Sequence, residues 1–193
     1  MTILLIVLGL LAGPAAQESP KPVRVVMETE AGEIEAEIDT VRAPVTAVNF
    51  LKYVDAGLFD GGAFFRTVRP DNQVDKPVKI GVIQASGNRE RRAEFFPAIP
   101  LERTTVTGLS HKDGTLSMAR AAPDTARDSF SICVGDQPSL DFGGARQPDG
   151  QGFAAFGQVI RGMDVVRKIQ SSPASGETLA PPIRIIRVRR LLP

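Results

Sequence analysis

Arg66 is the residue whose surroundings most suggest chemistry. It follows two phenylalanines in the segment GGAFFRTVRP, which occupies residues 61–70. A run of apolar residues is typical of a buried strand, yet a guanidinium cannot be deprotonated in a protein. Strand alternation either turns Arg66 outward into water or places it on the wall of a pocket, where its N–H donors can act on a substrate. These ten residues leave both alternatives open.

Cys133 and His111 are a second pair of residues with catalytic potential, since a thiol activated by a histidine is the arrangement of thiol hydrolases. The chain holds one cysteine and one histidine. Cys133, however, lies in the apolar segment FSICVG, which is typical of a core strand, and His111 lies in the polar turn SHKDG. The pattern favours Cys133 as a small buried side chain over a nucleophile.

Other kinds of site are excluded by the same counts. One cysteine cannot form an intrachain disulfide, and one histidine cannot form a multi-histidine metal site. The sequence also holds neither zinc-ligand spacing nor a GxxxxGK[ST] or GxGxxG stretch. We therefore expect no metal and no cofactor.

Length and charge indicate one ordinary globular domain. The chain has 193 residues, of which 42% are hydrophobic and 23% charged, enough for a single sizeable core. The formal net charge is +1, so charge gives no reason to expect nucleic acid as a partner. The densest basic run, RERR at 89–92, is interrupted by Glu90 and followed by Glu94, as in a solvated loop.

The first residues have the composition of a leader. The apolar run TILLIVLGLLAG has the length of a signal-peptide core, and Gly13, Ala15 and Ala16 offer cleavage points before Gln17. No Lys or Arg precedes the run, so an uncleaved membrane anchor or a misassigned start codon are the alternatives. We interpret residues 1–22 as a signal peptide with a short linker, and residues 23–193 as the domain, exported to the periplasm or secreted.

Short strands dominate the rest of the chain. Residues 23–39 alternate in polarity around Gly32, as in a β-hairpin. A helix is predicted to begin at Pro44, to bury an apolar stripe of Val48, Leu51 and Val54 joined by Phe50, and to end near Gly57. Further strands are predicted in AFFRTV, VKIGVIQ (78–84), TLSMARA, FSICVG, FAAFGQVI and IRIIRVRRLL. The last of these strands is expected to have a bulge between Ile185 and Ile186. A second helix is predicted in MDVVRKIQ, and a linker in SSPASGETLAPP. Strands outnumber helices without regular alternation, which favours a closed barrel or sandwich with helical plugs.

Four segments, in the right order, resemble the cyclophilin-type peptidyl-prolyl isomerases. They are APVTAVNFLKYVDAGLFDGGAFFRTV, VIQASG, GTLSMARAAPDTARDSFSICVGDQPSLD and FAAFGQVIRGMDVVRKI, within a match over about residues 23–190. The resemblance implies a mainly β fold, a closed eight-stranded antiparallel barrel capped by two α-helices. It also implies isomerisation of X-Pro bonds during protein folding without a covalent step. The expected partners are proline-containing polypeptides, with a monomeric protein that binds no nucleic acid and does not insert stably into a membrane once the leader is removed.

The resemblance also assigns roles to residues. Arg66 matches the family's catalytic arginine, and Gln84 matches the glutamine that bonds the substrate backbone and helps hold the arginine. The resemblance implies that substrate is contacted by Phe65, Val82, Ala119, Arg120, Ser129, Phe130, Ser131, Leu140 and Phe153.

Several of these positions depart from the family pattern. Phe65 replaces a histidine, Arg120 an asparagine, Ser129 a glutamine and Ser131 a pocket phenylalanine. Gly81 stands where the family has another pocket phenylalanine, and an extra loop, RPDNQVDKP, separates Arg66 from Gln84.

Because Gly81 and Ser131 stand where the family has pocket phenylalanines, the apolar wall of the pocket is expected to be smaller. This leaves an alternative function open, that of a catalytically weak module that binds proline-containing segments. It also raises the question of what fills the space at Ser131. We expect Phe153 or Phe130 to occupy it, so that phenylalanine at position 131 would overpack the site. If the space is empty, the same substitution would instead improve substrate binding.

Overall fold

The computed structural model of the protein describes residues 22–191. The predicted leader therefore lies outside the described residues, apart from Pro22. Within the described range, no helix is long and apolar enough to cross a membrane.

The hairpin predicted at the start of the domain is confirmed. Strand β1 (Val23–Thr29) pairs antiparallel with β2 (Gly32–Ile38), and Gly32 makes the turn at a φ of 138°. Ile34, Ala36 and Ile38 are fully buried while the glutamates between them face solvent, because successive side chains of a strand point to opposite faces.

Eight strands close into the antiparallel barrel. After β1 and β2 come β3 (Ala63–Val68), β4 (Val82–Ser86), β5 (Thr115–Met118), β6 (Phe130–Cys133), β7 (Ala154–Arg161), the two-residue β8 (Ala174–Ser175) and β9 (Thr178–Arg190). The order around the sheet is β1-β2-β7-β5-β6-β4-β3-β9, and pairing of β9 with β1 closes the ring. β8 pairs only with β9 and lies outside the ring. The eight-stranded barrel expected from the resemblance is thus confirmed.

Helices α1 (Pro44–Asp55) and α3 (Met163–Gln170) are the two predicted ones, and a one-turn helix, α2 (Thr104–Thr107), lies between them in the chain. The predicted buried stripe of α1 was wrong at Val48, which is 44% exposed. The other members of the stripe are buried as predicted, and the ring of Phe50 joins an aromatic core with Phe59 and Phe130. Burying the larger ring rotates the apolar face of the helix away from Val48.

Two strand boundaries differ from the prediction. Residues 78–81 are not part of β4, which begins at Val82. The side chain of Gln73 bonds both the N–H and the carbonyl of Ile80, at 3.1 and 2.7 Å, so these groups do not need a strand partner. β9 begins at Thr178, inside the predicted linker, because it forms a hairpin with β8.

The bulge predicted in the last strand is confirmed. Glu28 pairs with Arg187 and Thr29 with Ile185, which leaves Ile186 without a partner on β1. The extra residue explains why both Ile185 and Val188 are buried although only two residues lie between them, since strict alternation would place them on opposite faces.

Candidate active site

A second bulge, at Phe65, sets the direction of Arg66. On β4, Ala85 pairs with Phe64 and Gln84 pairs with Arg66, so Phe65 is the extra residue. Neighbouring positions of the ladder face opposite sides of a sheet. Phe64 is therefore fully buried in the main core, and Arg66 lies on the outer face of the barrel.

Polar residues from four adjacent strands form a row on this outer face. The pairing places Arg66 opposite Gln84, Gln84 opposite Ser131, and Ser131 opposite Ser117. The next positions along the same strands belong to a small apolar cluster, separate from the main core, that comprises Val68, Ile80, Val82, Cys133 and Leu140, with Phe153 packed against it. A line of hydrogen-bonding groups thus borders an apolar surface.

Three hydrogen bonds fix the guanidinium of Arg66. Nη1 donates to Oε1 of Gln84 at 2.8 Å, while Nε and Nη2 both donate to Oε2 of Glu177. The amide of Gln84 is fixed in turn, because its Nε2 donates to Oγ of Ser129 at 3.0 Å. The Arg66 side chain keeps 33% of its surface exposed, so the group is held in one orientation without being sealed from the pocket.

Glu177 is the functional residue that the sequence reasoning missed. It lies in the segment read as a linker, in a two-residue hairpin loop between Ser175 and Thr178. Gly176, at a φ of 58°, precedes it in the loop. A glycine at such a position is typical of two-residue hairpin turns, and that signal could have revealed the hairpin.

The row and part of the apolar cluster, namely Ile80, Val82, Leu140 and Phe153, line a pocket of about 420 Å³. Eight of the residues assigned to the site by resemblance line it: Arg66, Val82, Gln84, Ala119, Arg120, Ser131, Leu140 and Phe153. A pocket with an apolar wall, open volume and one oriented cationic donor suits a small apolar ring attached to an amide.

Three of the residues expected to contact substrate lie elsewhere. Phe130 is fully buried in the main core, where its ring meets those of Phe50 and Phe59 at centroid distances of 5.3 and 5.4 Å. The bulge turns Phe65 away from the pocket, and the Arg89 guanidinium lies 5.3 Å from the centre of its ring. Ser129 is not on the pocket wall either.

Ser129 instead acts through Gln84. Its hydroxyl accepts from the Gln84 amide and donates to the carbonyl of Ala85 at 2.8 Å. Since a hydroxyl can accept and donate at once, Ser129 holds the Gln84 amide with its nitrogen toward Ser129 and its oxygen toward Arg66. Phe65, Phe130 and Ser129, which the resemblance assigned to substrate contact, thus do not line this pocket.

Arg120 lines the pocket but uses its donors within the protein. Its Nε donates to the carbonyl of Gly152 at 2.7 Å, and its two Nη atoms bind the carboxylate of Asp149. The resulting hydrogen bond holds the pKa of Asp149 low, at about 2. The guanidinium also lies 5.1 Å from the ring centre of Phe153, so Arg120 supports that ring on the pocket wall.

The geometry does not support the thiol-hydrolase alternative. Cys133 is fully buried, and burial raises the pKa of its thiol far above the range in which a thiolate forms. The two ring nitrogens of His111 are engaged elsewhere, Nδ1 with Asp141 at 2.6 Å and Nε2 with the Ser117 hydroxyl at 2.8 Å. Burial lowers the pKa of His111, and Asp141 only partly opposes this effect.

Two loops contribute residues to the edge of the pocket, and we call them the rim loops; they comprise residues 69–81 and 142–152. The first contains the extra segment seen in the sequence and contributes Lys76 to the pocket wall; the second contributes Arg146. Nη1 of Arg146 donates to Oε1 of Gln73 and to the carbonyl of Val78, both at 2.7 Å. The side chain of Arg146 therefore joins the two loops.

Comparisons with known proteins agree with this geometry. The family model described as cyclophilin type peptidyl-prolyl cis-trans isomerase/CLD matches residues 24–190. A peptidyl-prolyl cis-trans isomerase of Acinetobacter baylyi is 38% identical over 152 residues, covering 78% of this chain and 73% of that protein. Peptidyl-prolyl cis-trans isomerase B of Escherichia coli is 32% identical over 147 residues, covering 76% and 83%.

A solved structure shares the fold. The cyclophilin-type isomerase of Cryptosporidium parvum, crystallised in the presence of the dipeptide Ala-Pro, superposes with a TM-score of 0.70 at 18% identity, covering 88% of this chain and 99% of that one. With a barrel of the same architecture and a family match that spans almost all of the described residues, the chain belongs to the cyclophilin-type peptidyl-prolyl cis-trans isomerases.

Proposed function

We propose that this isomerase acts on X-Pro bonds of folding polypeptides and that Arg66 is its catalytic donor. The observation that carries the proposal is the orientation of the guanidinium, fixed by Gln84 and Glu177 at the edge of an open, apolar-walled pocket. Three of its N–H groups are bonded within the protein, and the remaining ones are available to a substrate.

The reaction needs little more than such a donor. Rotation about the X-Pro bond faces a barrier of about 18–20 kcal/mol, because resonance favours the planar amide. In the twisted transition state the prolyl nitrogen becomes pyramidal and can accept a hydrogen bond, which it cannot do in either planar isomer. A donor held in place for the twisted state lowers the barrier, since only interactions that strengthen in the transition state accelerate the reaction.

The other pocket residues hold the substrate. Val82, Leu140 and Phe153 offer an apolar surface for the proline ring, while Gln84 presents its amide beside Arg66. Ala119 lies at the end of β5, where an extended peptide can run along the strand. We propose that the protein does this as a monomer and without nucleic acid.

A refolding assay distinguishes the enzyme from the alternative, a module that binds proline-containing segments and turns them over weakly. The purified domain is added in substoichiometric amounts to a protein whose refolding is limited by X-Pro isomerisation. Acceleration at ratios well below one enzyme per substrate supports catalysis. Slowed refolding, or an effect only at equimolar ratios, supports the binding module.

Ser131→Phe is expected to lower KM for short proline peptides several-fold while leaving the thermal unfolding midpoint nearly unchanged. Phe130 points into the core, so it does not fill the space beside Ser131, and Ser131 lines the open pocket of about 420 Å³. The added ring extends the apolar wall, where burying such a side chain is worth about 1.5–3 kcal/mol. Steady-state kinetics and thermal unfolding give the two values.

Ser131→Ala is the control, because it removes the hydroxyl without adding a ring, and it should leave KM close to that of the native protein. If Phe153 already fills the space, Ser131→Phe will instead overpack the pocket. Activity would then fall, and stability would drop by about 1–3 kcal/mol.

We also propose that the protein is exported, on the strength of the apolar leader and the small residues before Gln17. The mature protein should then begin near Gln17. N-terminal sequencing of the protein recovered from the exported fraction checks this, and an intact Met1 would contradict cleavage of the leader and favour the membrane-anchor alternative.

A further inference from the structure

The charges on the pocket wall are of one sign. Four of the residues that line the pocket are cationic, namely Arg66, Lys76, Arg120 and Arg146, and among the described residues no Asp or Glu lines it. The whole chain carries a net charge of only +1. This local excess is therefore a property of the pocket and not of the overall composition.

Two of the four cations are neutralised by the protein itself. Glu177 pairs with Arg66, and Asp149 pairs with Arg120. Over residues 22–191, neither Lys76 nor Arg146 has a carboxylate within ion-pair distance, 4.0 Å. Within the described residues, Lys76 and Arg146 are thus cations of the pocket wall without an ion-pair partner, although Glu177 acts on Arg146 from a longer distance.

Arg146 is the more constrained of the two. Its Nη1 is bonded to two neutral acceptors in the first rim loop, which leaves Nε and Nη2 as donors that can bind a ligand. The pKa of Arg146 is lowered, first by burial and then by repulsion from Arg66, while the carboxylate of Glu177 opposes both effects. A partly buried guanidinium that lacks an ion-pair partner gains from an anion that binds its free N–H groups.

We propose that Lys76 and Arg146 form an anion-binding subsite beside the proline pocket, which selects substrates with an Asp or Glu next to the proline. The inference rests on the proposed function, because the acidic side chain reaches the subsite only when its proline occupies the pocket. Both cations come from the rim loops, so the same loops that narrow the pocket also determine its substrate preference.

The test compares two peptides that differ only in one residue beside the proline, Glu in one and Gln in the other. The pair is made with the changed residue before the proline and again with it after the proline. A protease-free isomerisation assay measures kcat/KM at low ionic strength. We expect the Glu peptide to be favoured by about fivefold to tenfold at one of the two positions, and the preference to shrink as salt is added. Equal kcat/KM values for both pairs would overturn the proposal.

The variants Lys76→Gln and Arg146→Gln should each reduce the ratio between the Glu and Gln peptides, and the double variant should bring it to about one. Lys79→Gln is the matched control, because Lys79 is exposed in the same rim loop but does not line the pocket. A ratio that falls equally in the control shows a general charge effect and contradicts the subsite. The subsite is also contradicted if the double variant keeps the native ratio of kcat/KM between the Glu and Gln peptides.

Measuring the affinity of fluorescently labelled versions of the same peptides distinguishes failure of the anion-binding subsite from failure of the proposed isomerase function. If no peptide is isomerised but the Glu peptide still binds more tightly in a Lys76- and Arg146-dependent way, catalysis fails and the subsite stands. If the peptides are isomerised with no difference in rate or affinity, the subsite fails and the function stands.

Discussion

Arg66→Ala is expected to lower kcat/KM for X-Pro isomerisation by about two orders of magnitude, the low end of the cost of removing one preorganised donor. Most of the loss should appear in kcat, because the hydrogen bond to the prolyl nitrogen forms only in the twisted state. The unfolding midpoint should change little, since Arg66 and its partner Glu177 are both partly exposed and such pairs contribute little to stability. Isomerisation kinetics and thermal unfolding measure the two effects.

Arg69→Ala is the control for Arg66→Ala. Arg69 follows β3 directly and bonds the carbonyl of Gln170 and the carboxylate of Asp71, but it is not on the pocket wall. It should keep most of the activity. Arg66→Lys adds a further comparison, because an ammonium retains the charge but cannot bond Gln84 and Glu177 in the geometry of a guanidinium. A folded Arg66→Ala variant with native activity would show that the donor is not Arg66.

Phe130→Ala is expected to destabilise the protein by about 3–5 kcal/mol, the usual cost of deleting a buried phenyl ring. The ring contacts the aromatic core between α1 and the barrel strands and is fully buried, so its loss leaves a cavity. Chemical denaturation measures the difference in the free energy of unfolding. Well below the unfolding transition, KM should stay near the native value, because Phe130 does not line the pocket.

Phe153→Ala is the matched comparison, with the opposite expectation. Phe153 is on the pocket wall and only partly buried, so its loss should raise KM several-fold and cost less stability than Phe130→Ala. If Phe130→Ala raised KM while Phe153→Ala left it unchanged, the result would contradict the placement of Phe130 in the core and of Phe153 on the pocket wall.

The residues alone predicted the hairpin of β1 and β2, the two main helices, the bulge at Ile186 and a barrel or sandwich. Polarity alternation and the positions of Gly32 and Pro44 are local signals, and local signals survive in the structure because the surrounding fold agrees with them. The choice of an eight-stranded barrel came from the family resemblance. Strand pairing depends on residues far apart in the chain, and periodicity does not encode it.

The errors at the site have a shared cause, which is that side-chain direction depends on strand register. Phe130 and Ser131 are consecutive in β6, so they face opposite sides of the sheet and cannot both line one pocket. The bulge at Phe65 reverses the expected alternation there, and the bulge depends on pairing with β4 and β9. Glu177 was not predicted for a different reason. The hairpin of β8 and β9 brings it to Arg66, and the sequence analysis had predicted a linker in that segment.

The closure of the barrel by β9 also determines when, during synthesis, the enzyme can become active. Arg66 and the glutamate that orients it are 111 residues apart in the chain, and the strand that follows Glu177 is the one that pairs with both β1 and β3. A ribosome therefore releases the guanidinium long before it releases the carboxylate that holds it. Until β9 has emerged, β1 and β3 are both open sheet edges and Arg66 has Gln84 but not Glu177 as a partner, so the complete site can form only when almost the whole chain has been synthesised.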